Sequence, residues 1–321
     1  MNIIKNFMFS SIISSLTTFA LDIVFNPFSL YLHSFLLISF KRSVYDKAFC
    51  DTMEFEPFDI GRFLIAPGKK FHCLLIEAEL MPGALAKLAS IAAEYGVKIS
   101  YVSYSMPRKY GEPVKAIVFI DVTDASAPIE QLLEEARKLE FVKEIRDAKP
   151  EVESFALDVF SFPLVIDGHR VIILREDGIK GIINGLRKRL GSAAEAIQYF
   201  LGFEAGLEFG KNHRKLGEKL GIRKATEIFS KISAPLFTPI GFGVMNILEI
   251  NENPPYALIR VHGCFECECA TEKSDMPYSH LVRGMMAGAF TELFGIEATA
   301  REIKCIAKGD PYCEFEVYPR K

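Results

Sequence analysis

The chain lacks an excess of charge of either sign. Its 38 Lys and Arg face 41 Asp and Glu, a net charge of -3. It therefore has no broadly basic surface of the kind that sequence-independent nucleic-acid binding needs, and no direct nucleic-acid binding is expected. It also lacks a catalytic fingerprint: H-E-x-x-H, G-x-S-x-G, a phosphate loop and a nicotinamide or flavin signature are all missing. The six histidines, His33, His72, His169, His213, His262 and His280, are scattered. Cysteine is scarce, and seven is an awkward number for a secreted disulfide scaffold, so a cytoplasmic setting is expected. Disorder is excluded because 50% of the residues are apolar. A length of 321 residues suits two domains at roughly 150 residues each.

Residues 1–52 stand apart in composition. They contain eight Phe and eight Ser, no Gly, and only Ala20 and Ala48. Apolar runs at 7–21 and 23–40 are each short of the roughly 20 residues a bilayer span needs. Lys41-Arg42 after the second suits a cytoplasmic flank. Membrane anchoring by residues 7–40, a processed or buried segment, and a functional start at Met53 all stay open.

Residues 53–149 form the first expected domain. Short apolar runs at 71–78, 97–103, 114–122 and 141–145 read as strands, and the segments after Pro82 and Pro128 read as helices. The resulting βαββαβ order is ferredoxin-like. Glu79-Leu80-Met81-Pro82-Gly83-Ala84-Leu85 and Gly96-Val97-Lys98-Ile99 give this stretch a resemblance to the ACT domain family of ligand-binding regulatory modules. The resemblance implies an effector, such as an amino acid, near Met81 and Gly83. Met81 stands where the family usually carries Asp or Asn. Dimerisation alone is the competing role.

Residues 150–321 read as a mixed α+β domain. Strands are expected at 152–165 and 169–174 around the turn Asp167-Gly168, with helices at 178–190 and 192–210. A short helix at 223–232, strands at 241–250 and 256–264, a helix at 278–294 and a closing hairpin follow. Gly202 and Gly206, and again Gly284 and Gly288, lie four apart on helices. Such spacing admits another backbone or a flat ligand. The closing hairpin carries Cys305 and Cys313, which fall opposite each other if the turn centres on Gly309. At that separation they suit one metal ion or, after adjustment, a disulfide.

Gly202-Phe203-Glu204-Ala205-Gly206, Arg283-Gly284-Met285-Met286-Ala287-Gly288-Ala289-Phe290 and the closing run from Glu302 to Phe315 resemble the 4-vinyl reductase (4VR) domain family. These are described as hydrocarbon- or small-molecule-binding domains, with a fold shared by aromatic-responsive sensory domains and a Golgi transport component. The resemblance implies an apolar pocket near Gly202, Phe203, Gly206, Gly284 and Gly288. It also implies a zinc ion held by a cysteine ahead of the glycine helix, a Glu and the two closing cysteines. By position Glu302, Cys305 and Cys313 match that set, whereas Ser279 stands in the place of the first cysteine. His280 and the Cys264–Cys269 cluster are the candidates to replace it. Glu302 needs a bulge to join Cys305, because on a regular strand the two face opposite sides. Read as extended, Cys267 and Cys269 share a face and Cys264 points away. Cys264, Cys267 and Cys269 also suit a thiol redox switch.

These features add up to a small-molecule-binding regulatory protein of two modules, expected to be a homodimer, with an apolar or aromatic ligand and a cysteine-based metal or redox site. The competing class is an enzyme, or enzyme subunit, of vinyl-tetrapyrrole reduction with a separately supplied reductant.

Overall fold

The computed structural model describes residues 56–320 apart from 106, 108 and 110. The expectations attached to residues 1–52 lie outside the described residues. Among the described ones, no helix is long and apolar enough to cross a membrane. They fall into two compact units, Phe55–Leu174 and Arg175–Lys321. Pro150, where the sequence suggests a boundary, lies inside the first unit. Strand pairing carries that unit further, because β6 (Phe155–Leu157) returns to pair antiparallel with β1 (Phe63–Ile65).

The first unit is built on β2 (Phe71–Ala78), α1 (Ala84–Glu94), β3 (Lys98–Tyr104), β4 (Val114–Asp121), α2 (Ile129–Arg137) and β5 (Val142–Ala148). The strands form one antiparallel sheet in the order β3-β4-β2-β5, a βαββαβ topology. Nearly unbroken apolar runs in β2 and β4 reflect a sheet buried on both faces. Leu74, Ile76, Val118 and Ile120 pack under Leu132, Leu133 and Ala136 of α2. Cys73, Leu75, Ile117 and Phe119 point the other way, against Ala156 of β6 and Leu64 of β1. The short β7 (Val165–Ile166) and β8 (His169–Arg170) hairpin turns at Asp167 and Gly168, both at positive φ (48° and 77°). That is the geometry of a tight hairpin whose twist matches its strands.

In the second unit, α3 (Glu176–Leu190) leads through Gly191 into the 28-residue α4 (Ser192–Lys219). The next helical stretch comprises α5 (Ala225–Ile228), a π turn (Phe229–Ser233) and α6 (Ala234–Leu236). After β9 (Val244–Glu252) and β10 (Pro255–His262) come α7 (Phe265–Glu268), α8 (His280–Phe294), β11 (Ala298–Lys304) and β12 (Cys313–Pro319). The antiparallel sheet runs β11-β12-β10-β9. Its inner face, with Ala257, Ile259, Val261, Phe315 and Val317, shares a core with Val282, Met286 and Phe290 of α8.

The interior glycines settle on helix packing. A Cβ on Gly202 would strike the carbonyl of Leu281, and one on Gly206 that of Met285. A Cβ on Gly284 or Gly288 would strike Tyr199 or Phe203 in return. The backbones of α4 and α8 therefore touch, and no flat ligand fits between these glycines, contrary to one of the two expectations for them.

Candidate functional site

Cys264, Cys267, Ser279, Glu302, Cys305 and Cys313 are all buried and converge at one end of the second sheet. The segment expected to be extended at 264–269 is instead a helical turn, with Cys264 capping α7. Three residues apart on a turn, Cys264 and Cys267 face the same way. Cys264 thus points into the cluster rather than away from it, and its Sγ lies 3.5 Å from Ser279 Oγ. The register of β11 against β12 shifts between Glu302 and Lys304. That irregularity supplies the bulge Glu302 needs: Glu302 and Cys305 are both buried, and the intervening Ile303 turns outward at 38% exposure.

Cys267 Sγ lies 3.4 Å from Cys305 Sγ and 3.4 Å from Cys313 Sγ. Ser279 donates its hydroxyl to Glu302 Oε1 at 2.9 Å and its N–H to Glu302 Oε2 at 3.0 Å. One donor atom each from Cys267, Glu302, Cys305 and Cys313 lies within 4.8 Å of the other three. Four-coordinate zinc with about 2.3 Å to sulfur and about 2.0–2.2 Å to a carboxylate oxygen needs donors spaced on that scale. The cluster can hold a metal ion. Hydrogen bonds with Cys267 and Cys313 hold Cys264 and Cys305 well below the ordinary thiol range, and Cys267 and Cys313 are pushed up as their partners. Burial raises the Glu302 carboxyl to about 8.

A second buried carboxylate braces the site. Glu266 is fully buried and accepts hydrogen bonds from the backbone N–H of Leu281 (3.0 Å) and Val282 (2.8 Å) at the start of α8. Negative charge there complements the helix dipole, while burial raises its pKa to about 8. Arg187 lies 3.7 Å from Glu266, covers the Tyr278 ring at 3.6 Å and donates to the Tyr278 carbonyl. In sequence, Arg187 reads as part of a solvated basic helix end and Glu266 as a mere neighbour of thiols. Neither role shows without the pairing.

Other expected site residues fall elsewhere. His280 turns from the cluster, with Nδ1 at 3.2 Å from Arg283 and Nε2 at 3.7 Å from Glu195, and burial lowers its pKa to about 4. Cys269 donates to the Phe265 carbonyl at 3.2 Å, away from the four donors. Phe203 stacks on Tyr199 beside the core. In the first unit Met81 is 41% exposed, and Gly83 precedes α1 at φ 80° with open space around it.

An apolar cavity of about 60 Å3 lies beside the α4–α8 contact. Phe209 of α4, Phe229 of the π turn, Phe242, Met245 of β9, and Met285 and Met286 of α8 line most of it. Its polar feature is the hydrogen bond between His213 Nδ1 and Ser233 Oγ, 2.9 Å. Burial lowers the His213 pKa to about 4, so the ring is neutral at pH 7.

Residues 258–319 match the 4-vinyl reductase (4VR) domain. Every member of the thiol and carboxylate cluster lies inside that stretch. MJ1460, an uncharacterised protein of Methanocaldococcus jannaschii, is 25% identical over 115 residues, covering 32% of this chain and 68% of that protein. The phenol-responsive sensory domain of the transcription activator PoxR, solved with phenol, is 19% identical at a TM-score of 0.43, over 47% of this chain and 77% of that one. A vinyl-4-reductase family protein from M. jannaschii is 20% identical at a TM-score of 0.29, over 48% of this chain and 100% of that one.

Proposed function

We propose that Arg175–Lys321 is a small-molecule-sensing module that takes a small apolar molecule carrying one hydroxyl into the Phe- and Met-lined cavity. The observation that carries this reading is the His213–Ser233 pair, a lone polar anchor in an otherwise apolar lining. Such a lining rewards a ligand for the area it removes from water and orients it through one hydrogen bond. At about 60 Å3 the cavity is narrow, so Met245, Met285 and Met286 must repack on entry, as flexible thioethers readily do. The 4VR match over 258–319 agrees with a ligand-binding role.

In the same reading Cys267, Glu302, Cys305 and Cys313 hold a zinc ion. Soft thiolates with one carboxylate in a closed, buried set suit zinc in a structural role. The ion would tie α7 to the closing hairpin, leaving recognition to the cavity. In the first unit the exposed Leu80, Met81 and Leu85 favour apolar packing over capture of a charged amino acid.

Isothermal titration with matched pairs of small aromatic and aliphatic compounds, with and without a hydroxyl, tests the cavity. Hydroxylated members should bind more tightly, and Ala289→Phe, which fills the cavity, should abolish binding. Binding that ignores both the hydroxyl and the filled cavity would sink the proposal, as would a panel that never binds. Elemental analysis of purified protein tests the ion, with about one zinc per chain expected.

A further inference from the structure

Glycine is a poor helix residue, since it gives up backbone freedom and packs nothing. Between α4 and α8 each interior glycine answers to a carbonyl that a Cβ would strike. Helix α3 carries two that do not: a Cβ at Gly181 or Gly185 would meet nothing within 4 Å. Both lie on the side away from Ile183, which is 2% exposed, and Ile182 beside them is 58% exposed. An outward face smoothed by glycine has no use within this unit.

The same face is laid out symmetrically along the sequence. Gly181 and Gly185 stand two residues before and after Ile183, and Asp177 and Arg189 stand six before and after it. If α3 crossed a second α3 antiparallel, about a two-fold axis at the level of Ile183, each Gly181 would meet the partner's Gly185. Each Asp177 would then meet the partner's Arg189. That is the self-complementarity an isologous interface requires, where residue i meets j and j meets i. Glycine at the crossing lets the helix axes approach more closely than side chains allow. Asp177 is exposed and within its own chain reaches only the exposed Arg175, at 3.6 Å, so it is free to re-pair. Lys188 and Arg189 are exposed as well. The α3–α4 hairpin adds apolar area through Ile197, Phe200 and Leu201, exposed on α4.

We propose that α3 is the contact helix of a homodimer, crossing the α3 of a second copy antiparallel at Gly181 and Gly185, with Asp177 and Arg189 pairing across the axis. The occupant is a second copy of this chain because both the glycines and the opposite charges mirror about a single point. This surface is independent of the cavity and the cysteine cluster.

Sedimentation velocity of the full chain across a wide concentration range tests it. The chain should sediment as a dimer. Gly181→Leu with Gly185→Leu should weaken association by at least about tenfold, and Asp177→Arg alone should do the same by opposing Arg189. The exchanged pair Asp177→Arg with Arg189→Asp should restore the dimer. If the leucine variant does not fold, as judged by circular dichroism, the two exposed charge variants decide the matter. A chain that stays monomeric throughout, or a dimer indifferent to the charge reversal, overturns the proposal.

Discussion

Ser279 Oγ lies 2.8 Å from Cys267 Sγ, so a thiol from α7 reaches the place where position 279 itself offers only a hydroxyl. The donor lost from the start of α8 is regained from another element. If Cys267 substitutes for a residue at 279, then Cys267→Ser should drop zinc content well below one per chain. Adding Ser279→Cys to that variant should restore it. Elemental analysis alongside free-thiol counting gives the answer, and a double variant as empty as the single one would count against the substitution.

Gly288 predicts a different kind of loss. A Cβ there would meet the Phe203 carbonyl oxygen at 2.0 Å, so Gly288→Ala must push α4 and α8 apart rather than move a side chain. Overpacking of a rigid core typically costs about 1–3 kcal/mol, and this site belongs at the upper end because backbone must give way. For a unit of this size that corresponds to a melting point lower by roughly 6–12 °C, measurable by calorimetry.

His213 predicts a pH dependence. Its folded pKa of about 4 lies below the ordinary 6.5, because burial favours the neutral ring. Above pH 6.5 neither the folded nor the unfolded chain holds the proton, and stability is at its full value. As the pH falls from 6.5 toward 4 the unfolded chain takes up the proton first, so stability is lost across that window. His280 is lowered to the same value and adds to the loss. Urea titrations at pH 7 and pH 5 should differ, and His213→Gln should reduce the difference by on the order of 1–2 kcal/mol.

Glu266 predicts a cost shared between helix and cluster. Glu266→Ala leaves the N–H groups of Leu281 and Val282 without their carboxylate and Arg187 without its nearest buried acid. Buried donors stripped of partners cost about 1–3 kcal/mol. Since Glu266 adjoins Cys267, the variant should also bind zinc more weakly, which a competition titration with a chelator would reveal.

Strand and helix positions were legible wherever one apolar period ran uninterrupted, as in β2, β4 and α8. The βαββαβ order followed from those runs and from Pro82 and Pro128. Three members of the donor set, Glu302, Cys305 and Cys313, could be named by position, and the need for a bulge followed from strand geometry. The fourth, Cys267, was visible but misplaced. A segment of four residues between a strand and a long loop has too few side chains to show a period, and its C-x-x-C spacing serves a turn and an extended chain alike. Long-range pairings were not legible at all. Nothing local to Val152–Phe160 says that it covers a sheet built largely before it, and nothing local to Arg187 says that it reaches Tyr278. The cavity escaped notice because its lining comes from α4, the π turn, β9 and α8, each of which reads on its own as ordinary core.

The interlocked glycines of α4 and α8 also fix which wall of the cavity can yield. Sliding either helix along the other would drive a Cα into a carbonyl, so the two behave as a single stationary jaw. The opposite jaw is the stretch from Phe229 through Phe242, where the π turn leaves one backbone rung wider than an α-helix. A molecule entering the cavity must displace that side, and the displacement is handed along the chain to β9 at the edge of the sheet.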